Sequence, residues 1–276
     1  MRSKSHQIQK YLSPVLSLII GLVIAFPVFY AFMSGFKGAS EMDSYPPTIL
    51  PESFMNFANF RQVIFDSLVP RFMLNSLIIA LVATIVRLLF STLAAYSLAF
   101  FKFRGQKFMF FFILGTMMIP PEALLISNFL TVSKFGLVNS YMGVMIVYFV
   151  SATQVFMFRQ NFRTISTSLR EASFIDGCTD LMFYLKICIP VSKPVITALG
   201  IASFVNVWNA YMWPLLVTNK PKMRTVQVGI TMLASDDPNK GILFAGIAII
   251  LVPSILIFAF YQRNLVHGIS SGAVKG

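Results

Sequence analysis

Charge is scarce in this sequence, and negative charge most of all: 10 Asp and Glu stand against 22 Lys and Arg in 276 residues. Charged residues make up 12% of the chain, half of the roughly 25% usual in soluble domains. With 57% apolar residues, 29 Phe and 15 Met among them, the chain is suited to a bilayer rather than to water. Two cysteines, Cys178 and Cys188, are too few for a disulfide scaffold, and they form no CxxC pair. The two histidines, His6 and His267, lie at opposite ends of the chain, so no metal site is expected. There is no phosphate-cradling GxxxxGK[ST] run, and no Gly-Lys dipeptide occurs anywhere. GxSxG and HExxH are missing as well. The chain is therefore expected not to be an enzyme and to bind no cofactor itself.

What is present is apolar length. Runs long enough to cross about 30 Å of hydrocarbon occur six times, at 12–33, 72–101, 108–131, 139–158, 188–218 and 241–262. The first follows Arg2, Lys4 and Lys10, as a secretory leader would, but it exceeds the roughly 7–15 apolar residues of a leader, so a retained span is expected. The expected fold is an all-α integral membrane protein of six transmembrane helices. Residues 1–70 form the first helix and an outer loop, 71–263 a five-helix core containing a loop at 168–190, and 264–276 a tail. Helix breakers inside the runs, IPPEALL at 119–125 and WPLL at 213–216, are tolerated at membrane depth where freed backbone meets protein or a watery cavity. They favour a transporter bundle over a simple anchor.

Basic residues orient the spans. The N-terminus, 102–107, 159–193 and 263–276 together carry 13 Lys and Arg against three acids, Glu171, Asp176 and Asp180. The opposite side carries 8 basic and 7 acidic residues. The first set, with both termini, is expected in the cytoplasm, and the net charge of +12 needs no nucleic-acid partner to explain it. Arg87 falls inside the second span, where a charge costs about 2.5–3.5 kcal/mol on insertion scales. It must face protein or water, either as a contact to a neighbouring helix or subunit or as a cavity residue attracting an anionic substrate.

Between the fourth and fifth spans lies SLREASFIDGCTDLMFYLKICIP, residues 168–190. Ser168 and Glu171 have capping-box spacing, Asp176-Gly177 signals a turn, and a second helix start is expected at Thr179 or Asp180. Ile175, Cys178, Met182, Leu185 and Ile189 recur at helical steps as one apolar stripe, and Pro190 marks the passage into the fifth span. A helix that merely lies on lipid carries a basic polar face. The acids Glu171, Asp176 and Asp180 favour a protein groove instead. The alternative for Glu171 is a purely local role, capping Ser168.

EASFIDGCTDLMFYLKICIP resembles the EAA loop of permease subunits in binding-protein-dependent ABC importers. Ser173 stands where the motif's third residue is Ala, and Ile189 where Leu is usual before proline. The resemblance continues through LNSLIIALVATIVRLLFSTLAAYSLAFFKFRG, MMIPPEALL, FGLVNSYMG, FVNVWNAYMWPLL and YQRNLVHGISSGAVKG. Together these blocks are similar to the smaller-permease type of carbohydrate importers, as in maltose systems, although Arg87 sits where a small or apolar residue is usual. The resemblance implies a type I importer permease fold in the bacterial cytoplasmic membrane. It implies a second homologous permease subunit, two ATP-binding subunits holding ATP and Mg, and an extracellular solute-binding protein. Glu171, Ala172, Asp176, Gly177 and Pro190 would then form the coupling element that seats in the ATPase. The tail residues Gly272, Ala273, Val274 and Lys275 would reach toward the ATPase pair; an ordinary terminus would be disordered there.

For substrate, Trp208, Asn209, Tyr211 and Trp213 are the first choice, because pyranose faces pack on aromatic rings and amides satisfy hydroxyls. The alternative for this cluster is an interfacial aromatic belt. Arg87 and Glu122 complete the pathway candidates. An ion-coupled secondary transporter is the competing class, and it needs carboxylate relays inside the membrane, for which only Glu122 is available. A structural scaffold would leave the broken spans without a purpose. Neutral sugars, glycerol-phosphate esters and uronate oligomers all remain open, with Arg87 favouring anions.

Overall fold

The computed structural model describes residues 2–236 and 239–273, and no strand occurs among them. Two helices are long and apolar enough to cross a bilayer unbroken: α1 (Arg2–Ser34), through Pro14–Ser34, and α2 (Val69–Phe100). Three further spans are bent. α3 (Gln106–Thr116) meets Pro121–Lys134, which contains α4 (Leu125–Lys134), at 93°, and Tyr141–Tyr148 meets α5 (Ala152–Phe162) at 48°. Asp180–Val191 meets α8 (Lys193–Trp208) at 77°. Two short elements, α6 (Thr167–Ile175) and α7 (Asp180–Phe183), occupy the connecting segment. The last helix, α9 (Lys240–Ala273), runs unbroken through the expected sixth span and on through Gly272 and Ala273, whereas Val274 and Lys275 lie outside the described residues.

The fifth run is thus not one rod. Its first break falls at Ser192, and Pro194 then occupies the first turn of α8, where a missing N–H costs nothing. Pro190 lies two residues before that break and is preceded by a π-turn over Tyr184–Cys188. A proline inside a helix cannot donate to the carbonyl four residues back and crowds it, and a widened turn relieves that crowding.

The chain forms two compact units, residues 1–70 with 229–253, and residues 71–228 with 254–276. In the first, Phe36, Phe57 and Phe60 pack ring against ring at 4.8–6.4 Å. Asn59 donates to the carbonyls of Gly35 and Lys37, satisfying backbone left open where α1 ends. The Lys240 ammonium is hydrogen-bonded to Asp43 at 2.9 Å, which raises its pKa. Apart from its last turn, where Ala31 and Ser34 are buried and Tyr30 packs edge-on against Phe244, the Pro14–Ser34 stretch leaves its apolar side chains exposed, as suits a lipid-facing helix.

The second unit is centred on α2, whose Ala80, Ala83 and Ala95 are fully buried. Ala95, Tyr96, Phe158, Phe162, Phe183, Tyr184 and Cys188 form a core cluster that joins α2 and α5 to the segment around α7. Small residues let the helix axes approach closely, and aromatic rings fill the space between them.

Candidate functional site

Two places in the second unit concentrate polar chemistry. The first is a cavity of about 760 Å³. Its walls include the interruptions of three apolar segments: Ile119 and Pro121 after α3, Val150 and Ser151 before α5, and Asn209 to Tyr211 after α8. At each of them backbone leaves the helical hydrogen-bond ladder, and at membrane depth that is stable only beside protein or water.

Arg87 lines this cavity while being only 8% exposed. Its Nε donates to the Tyr148 carbonyl and its Nη1 to Ser203 Oγ at 3.0 Å, with the guanidinium over the Tyr148 ring at 5.7 Å. The Tyr148 carbonyl ends the short turn Ile146–Tyr148 just before the chain breaks. A cation there satisfies an orphan acceptor and opposes the negative end of a helix dipole. Arg87 is therefore both a contact to neighbouring segments and a cavity residue. Among the described residues it pairs with no carboxylate.

Glu122, Asn209, Tyr211 and Trp213 line the same cavity. Asn209 accepts from Gln227 Nε2 at 3.3 Å. Trp213 is 5% exposed and donates Nε1–H to the Val144 carbonyl at 3.1 Å, so it is a packed wall and not a lipid-facing belt residue. Trp208 requires a correction. It is buried outside the lining and stacks on Phe204 at 5.9 Å within the last turn of α8, so its ring is taken up by packing against its own helix. Asn128, Ser151 and Asn206 also line the cavity. Sequence does not single them out, since isolated amides and hydroxyls inside apolar runs carry no spacing signal.

The second place is the element between the fourth and fifth spans. Its helix begins earlier than the capping-box spacing suggests. Ser166 is the cap, its Oγ accepting from Leu169 N at 3.3 Å, and Ser168 is already inside the first turn. Glu171 thus lies beyond capping reach and is exposed, as is Ala172. Asp176 follows α6, and Gly177 has φ +83°, a left-handed conformation that costs other residues about 1–2 kcal/mol. Thr179 then caps α7 by accepting from Met182 N at 3.3 Å. The chain therefore makes two short helices around one glycine.

Arg170 fixes this element in place. Its guanidinium donates to the Phe100 carbonyl at the end of α2 and to Asp180 Oδ1, at 3.1 and 3.3 Å. It also lies over the rings of Phe100 and Phe174. Tyr96 OH donates to the Asp180 carbonyl at 2.9 Å, and Thr92 shares a 2.8 Å hydrogen bond with Tyr184 OH. Asp180 is thus turned toward Arg170 and does not belong to the outward acidic face, which keeps Glu171 and Asp176. Ser173, Phe183 and Tyr184 are buried, while Ile175 at 86% exposure and Leu185 at 53% project outward. In the sequence Arg170 stands out only as one of the topology-setting charges, and ten residues separate it from Asp180, a spacing that predicts no contact.

Comparison with known proteins places these features in context. Residues 87–271 match the model of the family described as binding-protein-dependent transport system inner membrane component. The arabinooligosaccharides transport system permease protein AraQ of Halalkalibacterium halodurans is 32% identical, with all of both chains covered. The sn-glycerol-3-phosphate transport system permease protein UgpE of Brucella melitensis is 33% identical, over 92% of this chain and 94% of that one. In fold the chain is similar, with a TM-score of 0.84 and 23% identity, to a chain in the crystal structure of a bacterial ABC transporter involved in the import of the acidic polysaccharide alginate; 94% of this chain and 97% of that one are covered. The match spans both the cavity-lining breaks and the glycine-hinged element, and the chain belongs to the family of inner-membrane components of binding-protein-dependent transport systems.

Proposed function

We propose that this chain is a membrane-spanning subunit of an ATP-driven importer that passes a carbohydrate or polyol derivative from an extracellular binding protein to the cytoplasm by alternating access. The observation that carries the reading is an exposed carboxylate, Glu171, on a helix tied by Arg170 to the end of α2 and to Asp180. Such a rigid, outward-facing peg suits the transmission of force from another subunit, because a nucleotide-driven movement of its partner is passed to the spans and not absorbed locally. In this reading the 102–107 and 159–193 segments and both termini face the cytoplasm, in line with their excess of basic residues. Two ATP-binding subunits hold ATP and Mg, and a second homologous permease completes the pathway. The cavity suits a polyhydroxylated substrate, since amides, hydroxyls and open backbone alternate there with apolar walls.

The assignment is tested against ion coupling by uptake in membrane vesicles. Inactivating the ATP-binding subunits should abolish uptake, while an uncoupler should leave it unchanged when ATP is supplied; the reverse pattern would favour a proton-coupled carrier acting through Glu122.

A second reading, an anionic substrate such as a glycerol-phosphate ester or uronate oligomer, is favoured by Arg87. Two of the five donors of its guanidinium are engaged by Tyr148 and Ser203, and the side chain lines the cavity with no carboxylate partner among the described residues. Arg87→Gln keeps a donor for Tyr148 but removes the charge. An anionic substrate should then lose uptake by roughly tenfold or more, since hydrogen bonds to charged groups are worth about 1.5–3 kcal/mol. A neutral oligosaccharide should lose little. Unchanged uptake of an acidic substrate in a correctly assembled complex would remove the second reading.

A further inference from the structure

A second cavity, of about 630 Å³, lies where the end of α2 and the start of α3 meet the end of α5. We infer that it is a site for the headgroup of an anionic phospholipid. Lys102, Lys107, Arg159 and Arg163 all line it. None of the four pairs with a carboxylate among the described residues, whose ion pairs are Arg170–Asp180 and Lys240–Asp43. The sequence explains why: no Asp or Glu occurs from 67 to 121 or from 123 to 170, so both strands of chain that build the pocket are free of acids.

Arg159 and Arg163 stand one helical turn apart at the end of α5, where the helix dipole favours cations while their mutual repulsion leaves room for an anion. Arg159 is held in this position. Its Nε donates to the Leu98 carbonyl at 3.1 Å, and its guanidinium lies 3.8 Å from the centre of the Phe110 ring. The pocket therefore concentrates four cations, one of them fixed on an aromatic face, and among the described residues no carboxylate balances them. A phosphate ester supplies that balance, and basic pockets between spans on the cytoplasmic side recognise such headgroups.

Lipid is favoured over an acidic protein surface by what adjoins the pocket. Phe108, Phe111 and Phe112 are 76%, 67% and 64% exposed on the first turns of α3. They provide an apolar flank for acyl chains beside the charges, whereas an acidic protein surface would meet them at a desolvation cost with no return. Placing the lipid in the inner leaflet rests on the orientation in the proposed function; the recognition of an anionic headgroup does not.

The test uses the whole transporter, reconstituted in nanodiscs of mixed phosphatidylglycerol and phosphatidylcholine and read by native mass spectrometry. The wild type should retain phosphatidylglycerol in preference to phosphatidylcholine. The variant K102Q/K107Q, both exposed positions, should lose that retention by roughly tenfold or more, each lysine near a membrane surface contributing a several-fold factor. K134Q/K222Q, with basic residues removed elsewhere, should retain the lipid like the wild type. Equal retention of both lipids by the wild type, or retention unchanged in K102Q/K107Q, overturns the site. Retention of phosphatidylglycerol that appears only after the ATP-binding subunits are stripped from the transporter would assign the pocket to a protein and overturn the lipid. Gln160→Cys in a C178S background, probed with a membrane-impermeant maleimide, reports the leaflet separately. Labelling from outside overturns the inner-leaflet placement while the headgroup selectivity, measured independently, stands or falls on its own.

Discussion

Uptake in an E171A transporter falls roughly thirtyfold or more, with the chain still inserted and its helices intact. The size follows from the proposed role, since truncating one member of a docked charge pair costs about 2–5 kcal/mol. The absence of a folding penalty follows from the geometry. Glu171 caps nothing, because Ser166 supplies the cap of α6. Ser166→Ala should therefore do the opposite, losing about 1 kcal/mol of helix stability and little uptake. Co-purification of the ATP-binding subunits with E171A separates weak docking from failed force transfer, and E171Q asks whether the charge or the shape matters. Full uptake by E171A, measured alongside wild-type assembly, would end the docking assignment.

Arg170→Met carries the second large effect, and it acts on rigidity. The Arg170–Asp180 pair is partly exposed, at 28% and 46% of the two side chains, so the ion pair alone contributes less than about 1 kcal/mol. The larger loss is the charge-assisted hydrogen bond to the Phe100 carbonyl, worth about 1.5–3 kcal/mol. The summed effect of about 1.5–4 kcal/mol should appear as faster hydrogen exchange across 167–183 in the assembled transporter. ATP hydrolysis should continue with reduced uptake, because a loosened peg still seats but no longer moves the spans. Asp180→Asn should cost far less, since Tyr96 OH bonds the Asp180 carbonyl whatever the side chain. Wild-type exchange in R170M would show that the aromatic cluster alone holds the element.

The six apolar runs were legible because hydropathy reports on length, and a bilayer demands length. The 93° bend after α3 was signalled by Pro120 and Pro121. The break at Asn209–Tyr211 was signalled in the same way by Pro214, whose ring crowds the carbonyl of Ala210 four residues back. The break at Phe149–Ser151 contains neither glycine nor proline, so the partner of Arg87, the Tyr148 carbonyl exposed by it, could not be read from the chain. The start of α6 slipped by two residues because Ser166, Thr167 and Ser168 all have side chains able to cap. The glycine hinge was legible for the converse reason, as few residues other than glycine accept φ +83°. Arg170 and Tyr96 were missed because tertiary anchors between distant segments leave no local pattern.

In the proposed function, the three interruptions around the 760 Å³ cavity also bear on how such a passage diversifies. Peptide groups freed by broken helices offer donors and acceptors that side-chain substitutions other than to proline leave in place. A polyol moving past them can exchange its hydration for main-chain bonds, leaving the surrounding side chains free to vary. Selectivity can then drift from one cargo to another while the conduit keeps its wettability.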